Sequence, residues 1–110
     1  MFVRASNGGG GGNENSVWDY NKTLPSKINC SFKPKYVMIV GTYQSKVLVD
    51  VYRSDNSTTT HDSVYDGTLY PNIAMHAATG MIEDIVDDGV VIRSNMSGGS
   101  VTHAYWIVST

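Results

Sequence analysis

The stretch KVLVDVYR, residues 46–53, decides the fold class of this chain. Its valines stand at every second position, a period that is typical of a half-buried β-strand. The valines are Val47, Val49 and Val51. We predict that they face the core, and that Asp50 and Tyr52 point away from it.

The same period recurs on either side of this stretch. In KINCSF (27–32), Ile28, Cys30 and Phe32 share one face, and VTHAYWIV (101–108) also alternates. Two further runs, YVMIV (36–40) and GVVIR (89–93), are continuously apolar. Such runs indicate strands covered on both faces, either at the centre of a sandwich or in an oligomer contact.

The sequence before the YVMIV run prepares a strand entrance. Pro34 fixes its own φ and keeps Lys33 out of the α region, so the chain enters extended. Proline lacks the amide donor that a central strand needs, which places it before the strand. Lys33 and Lys35 keep the entrance solvated and discourage pairing with another strand edge.

Turn signals separate the strands at the spacing of a β-sandwich. They are SDNS (54–57), DG (66–67), YPN (70–72), DDG (87–89) and SGG (97–99). We therefore predict a single antiparallel β-sandwich, jelly-roll-like, of about seven or eight strands. Residues 72–79 are ambiguous and favour a strand or an irregular segment.

The domain organisation follows from the glycine run. Gly8 to Gly12 suggest a linker after a short N-terminal strand. We assign residues 1–27 to this strand, the glycine-rich linker and a polar lead-in, and residues 28–110 to the β-sandwich domain. The chain is interpreted either as one piece of a longer polypeptide or as beginning with a strand that pairs back onto the body.

Composition excludes several functions. Among 110 residues, 16% are charged, the net charge is −2, and the eight basic residues are scattered. Without a basic stripe we expect no nucleic-acid partner. No apolar run is long enough for membrane insertion, and the N-terminus lacks a signal-peptide core. The single cysteine, Cys30, is interpreted as a small buried apolar residue.

Three short motifs together resemble a module of bacteriophage tail fibres and minor tail structural proteins. They are FKPKYVMIVGT (32–42), IEDIVDDGVVI (82–92) and THAYWIV (102–108), and the resemblance covers about residues 31–108. In that module an aromatic-x-Pro-x-aromatic entry precedes a strand, and a glycine-rich segment often comes first. The resemblance implies an all-β, trimeric module at the distal end of a tail. It supplies no binding residues.

Chemistry-bearing side chains are present but lack catalytic spacing. His61, His76 and His103 fit no metal-ligand motif, so we expect no metal. The acids of residues 83–88 could cleave a glycosidic bond or bind Ca²⁺, although DDG is also ordinary turn chemistry. No nucleotide fingerprint is present. We expect no catalytic residue, no cofactor and no enzymatic activity.

Aromatic side chains give the predicted ligand surface, because tyrosine and tryptophan suit contacts with sugars and proteins. Trp18, Tyr20, Tyr65 and Tyr70 lie in turn-rich segments and are the candidate ligand-binding residues. The segment 61–72 is the first place to expect a receptor contact. Another set is predicted to lie in the core: Tyr36, Tyr105 and one face of the Trp106 strand.

The predicted function is that of a phage tail-associated structural or receptor-binding module. It would recognise a host cell-surface glycan or protein by multivalent contacts, as a homotrimer beside other virion tail proteins. Its location would be the virion, extracellular when mature, after synthesis in the bacterial cytoplasm without a signal peptide. The alternatives are a carbohydrate-binding or adhesin module of a bacterial surface protein or enzyme, and a small hydrolase using the 83–88 acids.

Overall fold

Ten strands and no helix make up the described part of the chain. The computed structural model describes residues 11–13, 15–55, 57–75, 80–93 and 99–110. The strands are β1 (Gly11–Asn13), β2 (Ser16–Lys22), β3 (Lys27–Asn29), β4 (Tyr36–Tyr43), β5 (Lys46–Ser54), β6 (Thr59–Tyr65), β7 (Thr68–Tyr70), β8 (Ile82–Val86), β9 (Gly89–Ile92) and β10 (Thr102–Ser109). The all-β prediction is confirmed.

The strand count exceeds the expected seven or eight because three of the strands are only three residues long. These are β1, β3 and β7. A three-residue strand shows too little alternation to be recognised in a sequence. Residues 72–75 form no strand, and the rest of the ambiguous segment 72–79 lies outside the described residues.

The strands form two antiparallel sheets that enclose one core. The larger sheet has the order β1-β2-β10-β4-β5-β6-β7, and the smaller has the order β3-β9-β8. Both sheets contribute to the core, the smaller one through Ile28, Val90 and Ile92. The chain is therefore an all-β antiparallel sandwich, with the last strand inserted between β2 and β4.

The N-terminal part of the chain contributes to the larger sheet. Residues of the predicted linker and lead-in form β1 and β2, and β2 pairs with β10 from Ser16 to Lys22. Gly11 and Gly12, from the glycine run, pair with β2 in this sheet. The N-terminal strand predicted before the glycine run lies outside the described residues.

Tight turns join the strands, and most fall at the turn signals of the sequence. The β6–β7 turn is Asp66-Gly67, with φ of 50° and 82°. The β4–β5 turn is Gln44-Ser45, with φ of 52° and 64°. Both pairs have the two positive φ angles of a type I′ turn. Gln44-Ser45 carries no glycine or asparagine, so no turn was predicted at this position.

The sidedness predicted for β5 is wrong. Leu48, Asp50 and Tyr52 are buried, whereas Val47 and Val51 are 56% and 42% exposed. The period-two pattern is present, but the face that contains aspartate is the inner one. Hydrophobicity alone favours the valines for the core, so a specific interaction must hold Asp50 inside.

Asp50 is completely buried and accepts four hydrogen bonds. From β6, His61 Nε2 donates to Oδ2 at 2.7 Å and Ser63 Oγ donates to Oδ1 at 3.0 Å. From the other sheet, the backbone N–H groups of Met81 and Ile82 donate to Oδ2 at 2.9 and 3.1 Å. One carboxylate thus fastens the two sheets together, and these hydrogen bonds offset the cost of burying its charge.

Gly80 makes room for this carboxylate. Its φ is +87°, and a Cβ at this position would lie 2.8 Å from Asp50 Oδ2. A side chain here would be strained by the positive φ and would also collide with the carboxylate. The backbone before β8 can therefore approach Asp50 closely enough to donate its N–H groups.

The core prediction is wrong for Tyr36 and Tyr105 and right for Trp106. Tyr36 and Tyr105 are exposed on the side of the larger sheet that faces away from the core. Trp106 points inward, on the same side of β10 as Ala104 and Val108. The YVMIV run of β4 is likewise covered on one face only, because Val37 and Ile39 are buried while Met38 is exposed.

We predict that replacing Asp50 by alanine destabilises the fold by about 3–5 kcal/mol, because four buried donors lose their acceptor. Urea unfolding followed by circular dichroism measures the loss. Asp55→Ala is the control: Asp55 is exposed and lies 3.6 Å from the Arg53 Nε atom. An exposed pair of this kind contributes at most about 1 kcal/mol. Equal unfolding midpoints for the two variants would contradict the role given to Asp50.

The observed sidedness of β5 makes a second prediction. Leu48→Ala should lower the free energy of unfolding by about 2–5 kcal/mol because it opens a cavity in the core. Val47→Ala should change it by no more than about 0.5 kcal/mol because Val47 is a surface residue. The opposite order of the two effects would show that the valines, and not Leu48, face the core.

Candidate binding surface on the larger sheet

The most distinctive surface of the molecule is the outer face, by which we mean the side of the seven-stranded sheet that faces away from the smaller sheet. Two apolar rows cross this face at right angles to the strands. Strand register aligns the first row as Trp18, Ile107, Met38 and Val51. It aligns the second row as Tyr105, Val40, Val49 and Val64.

Exposed large apolar side chains are concentrated on this outer face. Among the described residues seven such side chains are exposed, and six of them lie here. The six are Tyr36, Met38, Val47, Val51, Leu69 and Tyr105. Single exposed apolar side chains are normal in soluble proteins, but a contiguous group of them usually marks a binding surface.

A shallow groove of about 340 Å³ runs along the outer face between β2, β10 and β4. Trp18 and Tyr20 stand on one side, with ring centroids 6.2 Å apart and ring planes inclined by 21°. Met38 and Tyr105 line the other side. The groove therefore offers aromatic and aliphatic surface, which favours contact with another apolar or aromatic group.

The Asp19 carboxylate, beside this groove on β2, points away from it. Asp19 is aligned with the inward-pointing Trp106, whereas Trp18 is aligned with Ile107 on the outer face. One oxygen of Asp19 accepts the Tyr20 backbone N–H at 2.8 Å, and the other lies 3.3 Å from the Lys22 ammonium. The carboxylate is therefore not placed to bind a ligand in the groove.

The structure places the four predicted ligand-binding aromatics in two separate regions, and all four lie on strands. Trp18 and Tyr20 stack beside the groove on β2. Tyr65 is half-buried, packs against Tyr43 at 6.1 Å between ring centroids, and joins the core. Tyr70 is 39% exposed on the short edge strand β7.

Sequence reasoning missed the residues that make the outer face a surface, above all Met38, Val51 and Tyr105. It assigned Val51 and Tyr105 to the core because they are apolar. The sequence did carry one relevant signal, the continuous YVMIV run, since an oligomer contact was one of its two interpretations. Choosing between those two interpretations requires knowing which face of β5 is buried, and the alternation of the sequence does not show this.

An aspartate, a histidine and a serine do meet inside the fold, but their geometry is not that of a nucleophilic triad. Ser63 Oγ and His61 Nε2 both donate to Asp50, so the histidine does not accept the serine proton. In a triad the histidine stands between the other two residues. All three side chains are buried, and His61 Nδ1 has no hydrogen-bond partner within the described residues.

Two of the four acids of residues 83–88, Asp84 and Asp88, have structural partners. Asp84 Oδ1 accepts the Ile85 backbone N–H at 2.9 Å, and Lys27 Nζ donates to Asp88 Oδ1 at 2.7 Å. Among the residues that the structure covers, no group of three or more His, Cys, Asp or Glu side chains could hold a metal ion. His76 lies outside the described residues, and His103 is exposed where β10 bulges.

The hydrogen bond from Lys27, together with its positive charge, lowers the pKa of Asp88 below its usual 3.8. Because the folded-state pKa is lowered, this pair contributes stability above the unfolded-state pKa. That contribution is lost as the pH falls through the folded-state pKa. A carboxyl group with a lowered pKa is also a poor general acid near neutral pH.

We predict that Lys27→Met raises the pKa of Asp88 towards its usual value, because both stabilising effects of the ammonium are removed. An NMR titration of the side-chain carboxyl carbon measures this pKa. Lys46→Met is the matched control, because Lys46 pairs with Asp66 at 3.2 Å in another turn. The role of Lys27 is refuted if the pKa of Asp88 is the same in both variants.

No family model, curated protein or solved structure matches this chain. Within the described ranges, no helix is long and apolar enough to cross a membrane. Inferences about function must therefore start from the surface of the sandwich and from the short motifs of the sequence.

Proposed function

We propose that this protein is a bacteriophage tail-associated structural and receptor-binding module that acts by surface contact and carries out no chemistry. The observation that carries the proposal is the concentration of exposed apolar side chains on one sheet face, which holds six of the seven found in the described ranges. A face of this kind is expected of a subunit that works inside an assembly. The tail-fibre resemblance of residues 31–108 supplies the class of assembly.

The proposal includes a homotrimer that is located in the virion tail and contacts other tail proteins. Each subunit would present the same host-binding surface, so three weak contacts would act together at high effective concentration. Such a module needs no cofactor. The partner on the host would be a cell-surface glycan or protein.

The β6–β7 hairpin is the part of the described chain that we assign to host contact. It lies at one edge of the larger sheet and ends in β7, where Leu69 is 57% exposed on the outer face and Tyr70 is 39% exposed on the opposite side. An aromatic residue with a polar hydroxyl, placed on a short edge strand, is well suited to contacts with sugars or proteins. Tyr65, on the same hairpin, is mainly a packing residue.

A second candidate function, a carbohydrate-binding or adhesin module of a bacterial protein, is favoured by one specific feature. The stacked Trp18 and Tyr20 rings border a groove wide enough for a small ligand. Sugar rings pack well on such aromatic surfaces. This candidate requires the groove to be open in the functional protein, whereas the tail module does not.

Location in the virion is the first test. We expect mass spectrometry of purified phage particles to detect the chain, and gold-labelled antibody against it to bind the tail. Loss of the chain from purified particles, with presence only in the host-cell lysate, would refute the tail assignment. Binding of a glycan by the monomer, abolished by Trp18→Ala, would instead support the adhesin candidate.

Host contact through the hairpin is the second test. The purified protein should compete with phage for adsorption to host cells, and Tyr70→Ala should weaken this competition by about tenfold, the effect of losing roughly 1.4 kcal/mol of binding. Thr58→Ala, an exposed change at the opposite end of β6, is the control. Equal competition by the two variants would remove the hairpin from the contact.

A further inference from the structure

The outer face has the anatomy of a protein interface. Its two central rows are apolar across four neighbouring strands of the sheet, with Met38 near the middle, and the first row ends at Asp62 of β6, opposite Val51. The next row along the strands is more polar, with Tyr36 between Ser109 and Arg53 and with Thr60 beyond them. Protein–protein interfaces have this arrangement, in which charged residues are depleted at the centre and enriched at the rim.

The outer face is of the same order of size as the surface that a stable association buries. Five long strands, β2, β10, β4, β5 and β6, have seven to nine residues each. At about 4.8 Å between strands and about 3.3 Å per residue, they span about 24 Å by 23 Å, or about 550 Å² in projection. Side chains that project from the sheet make the accessible area larger than this projected area. For comparison, a stable interface buries about 800 Å² per partner.

The chemistry of the face favours a protein partner over a sugar. A sugar needs hydrogen-bonding groups, whereas the Asp19 side chain lies on the inner side beside Trp106 and is already bonded to Tyr20 N–H and paired with Lys22. The remaining groove surface is mainly aromatic and aliphatic. An apolar, pleated face is complementary to another pleated face, and two such faces pack with their side chains interdigitated at about 10 Å separation.

We propose that the outer face packs against the same face of further copies of this chain, with Met38 and Val51 at the centre of the contact. Met38 and Val51 are directly opposite each other on β4 and β5 and are 46% and 42% exposed. This inference rests on the proposed function, because it names the surface by which the proposed oligomer forms. It also closes the groove beside Trp18 and leaves Tyr70, on the other side of the sheet, open to the host.

Light scattering coupled to size-exclusion chromatography tests the proposal. The 110-residue chain should elute at a multiple of its 12.0 kDa mass. Met38→Glu and Val51→Glu, made separately, should each shift the mass to that of the monomer, because each puts a charge at the centre of an apolar contact. Tyr70→Glu is the matched control: Tyr70 is similarly exposed but lies off the outer face, so its mass should stay that of the oligomer.

Circular dichroism keeps the test independent of folding. Met38 and Val51 are exposed in a monomer, so both variants should retain the β-sheet spectrum, with some loss of stability for Val51→Glu because it stands opposite Asp62. If either variant unfolds, the milder Met38→Ser and Val51→Ser are used, and these should weaken association by at least tenfold. A monomeric wild-type chain at about 100 μM, well above the nanomolar-to-micromolar range of specific association, would overturn the inference, as would folded variants that keep the wild-type mass.

The outcomes separate this inference from the proposed function. A monomeric chain that is nevertheless found in phage tails would overturn the self-association face and leave the tail module standing. An oligomer that dissociates on Met38→Glu but is absent from virions would support the self-association face and overturn the tail module. A dimer in place of a trimer would support the outer face as the contact and correct only the predicted number of copies.

Discussion

The fold depends on one buried carboxylate. Asp50 receives His61 and Ser63 from its own sheet and the backbone N–H groups of Met81 and Ile82 from the start of the smaller sheet. An ionised group inside an apolar core is tolerated only when its oxygens are fully hydrogen-bonded, so this arrangement has little freedom to change. It sets the distance between the sheets at this point and requires Gly80 at the place of closest approach.

The same carboxylate also determines which side chains of β5 lie on the outer face. Side chains alternate along a strand, so holding Asp50 inside forces Val49 and Val51 to the other side of β5. Pairing then sets these valines beside Val40 and Met38 of β4, and beyond them beside Tyr105 and Ile107 of β10. The apolar outer face is thus a direct consequence of the polar group in the core. A strand with apolar residues on its outer side remains stable here because Leu48 and Tyr52 supply the inner side.

This coupling explains which parts of the structure could be predicted from the sequence. Alternation in KVLVDVYR correctly identified a strand, and DG at 66–67 correctly identified a hairpin turn. Which face of β5 is buried could not be predicted. Hydrophobicity assigns valine to the core and aspartate to solvent, and the partners of Asp50 are 11 to 32 residues away. The Gln44-Ser45 turn was equally hidden, since neither residue type indicates a positive φ. For the candidate surface, Trp18 and Tyr20 were found from composition. The exposure of Met38 and Val51 could not be predicted, because it depends on which face of β5 is buried.

The described part of the chain has a closed polar cluster in its interior and a largely apolar outer face. Asp50, His61 and Ser63 are sealed between the sheets, and Asp50 joins the sheets through its hydrogen bonds with Met81 and Ile82. The outer face exposes mainly apolar side chains. Burying these side chains against a partner removes apolar surface from water, and this lowers the free energy. A copy of the chain that covers this face would also stabilise the folded subunit by mass action, since only the folded state presents the two rows in register. Folding and assembly would then depend on the same residue. Burial of Asp50 orients β5 so that its valines lie on the outer face, through which copies would meet.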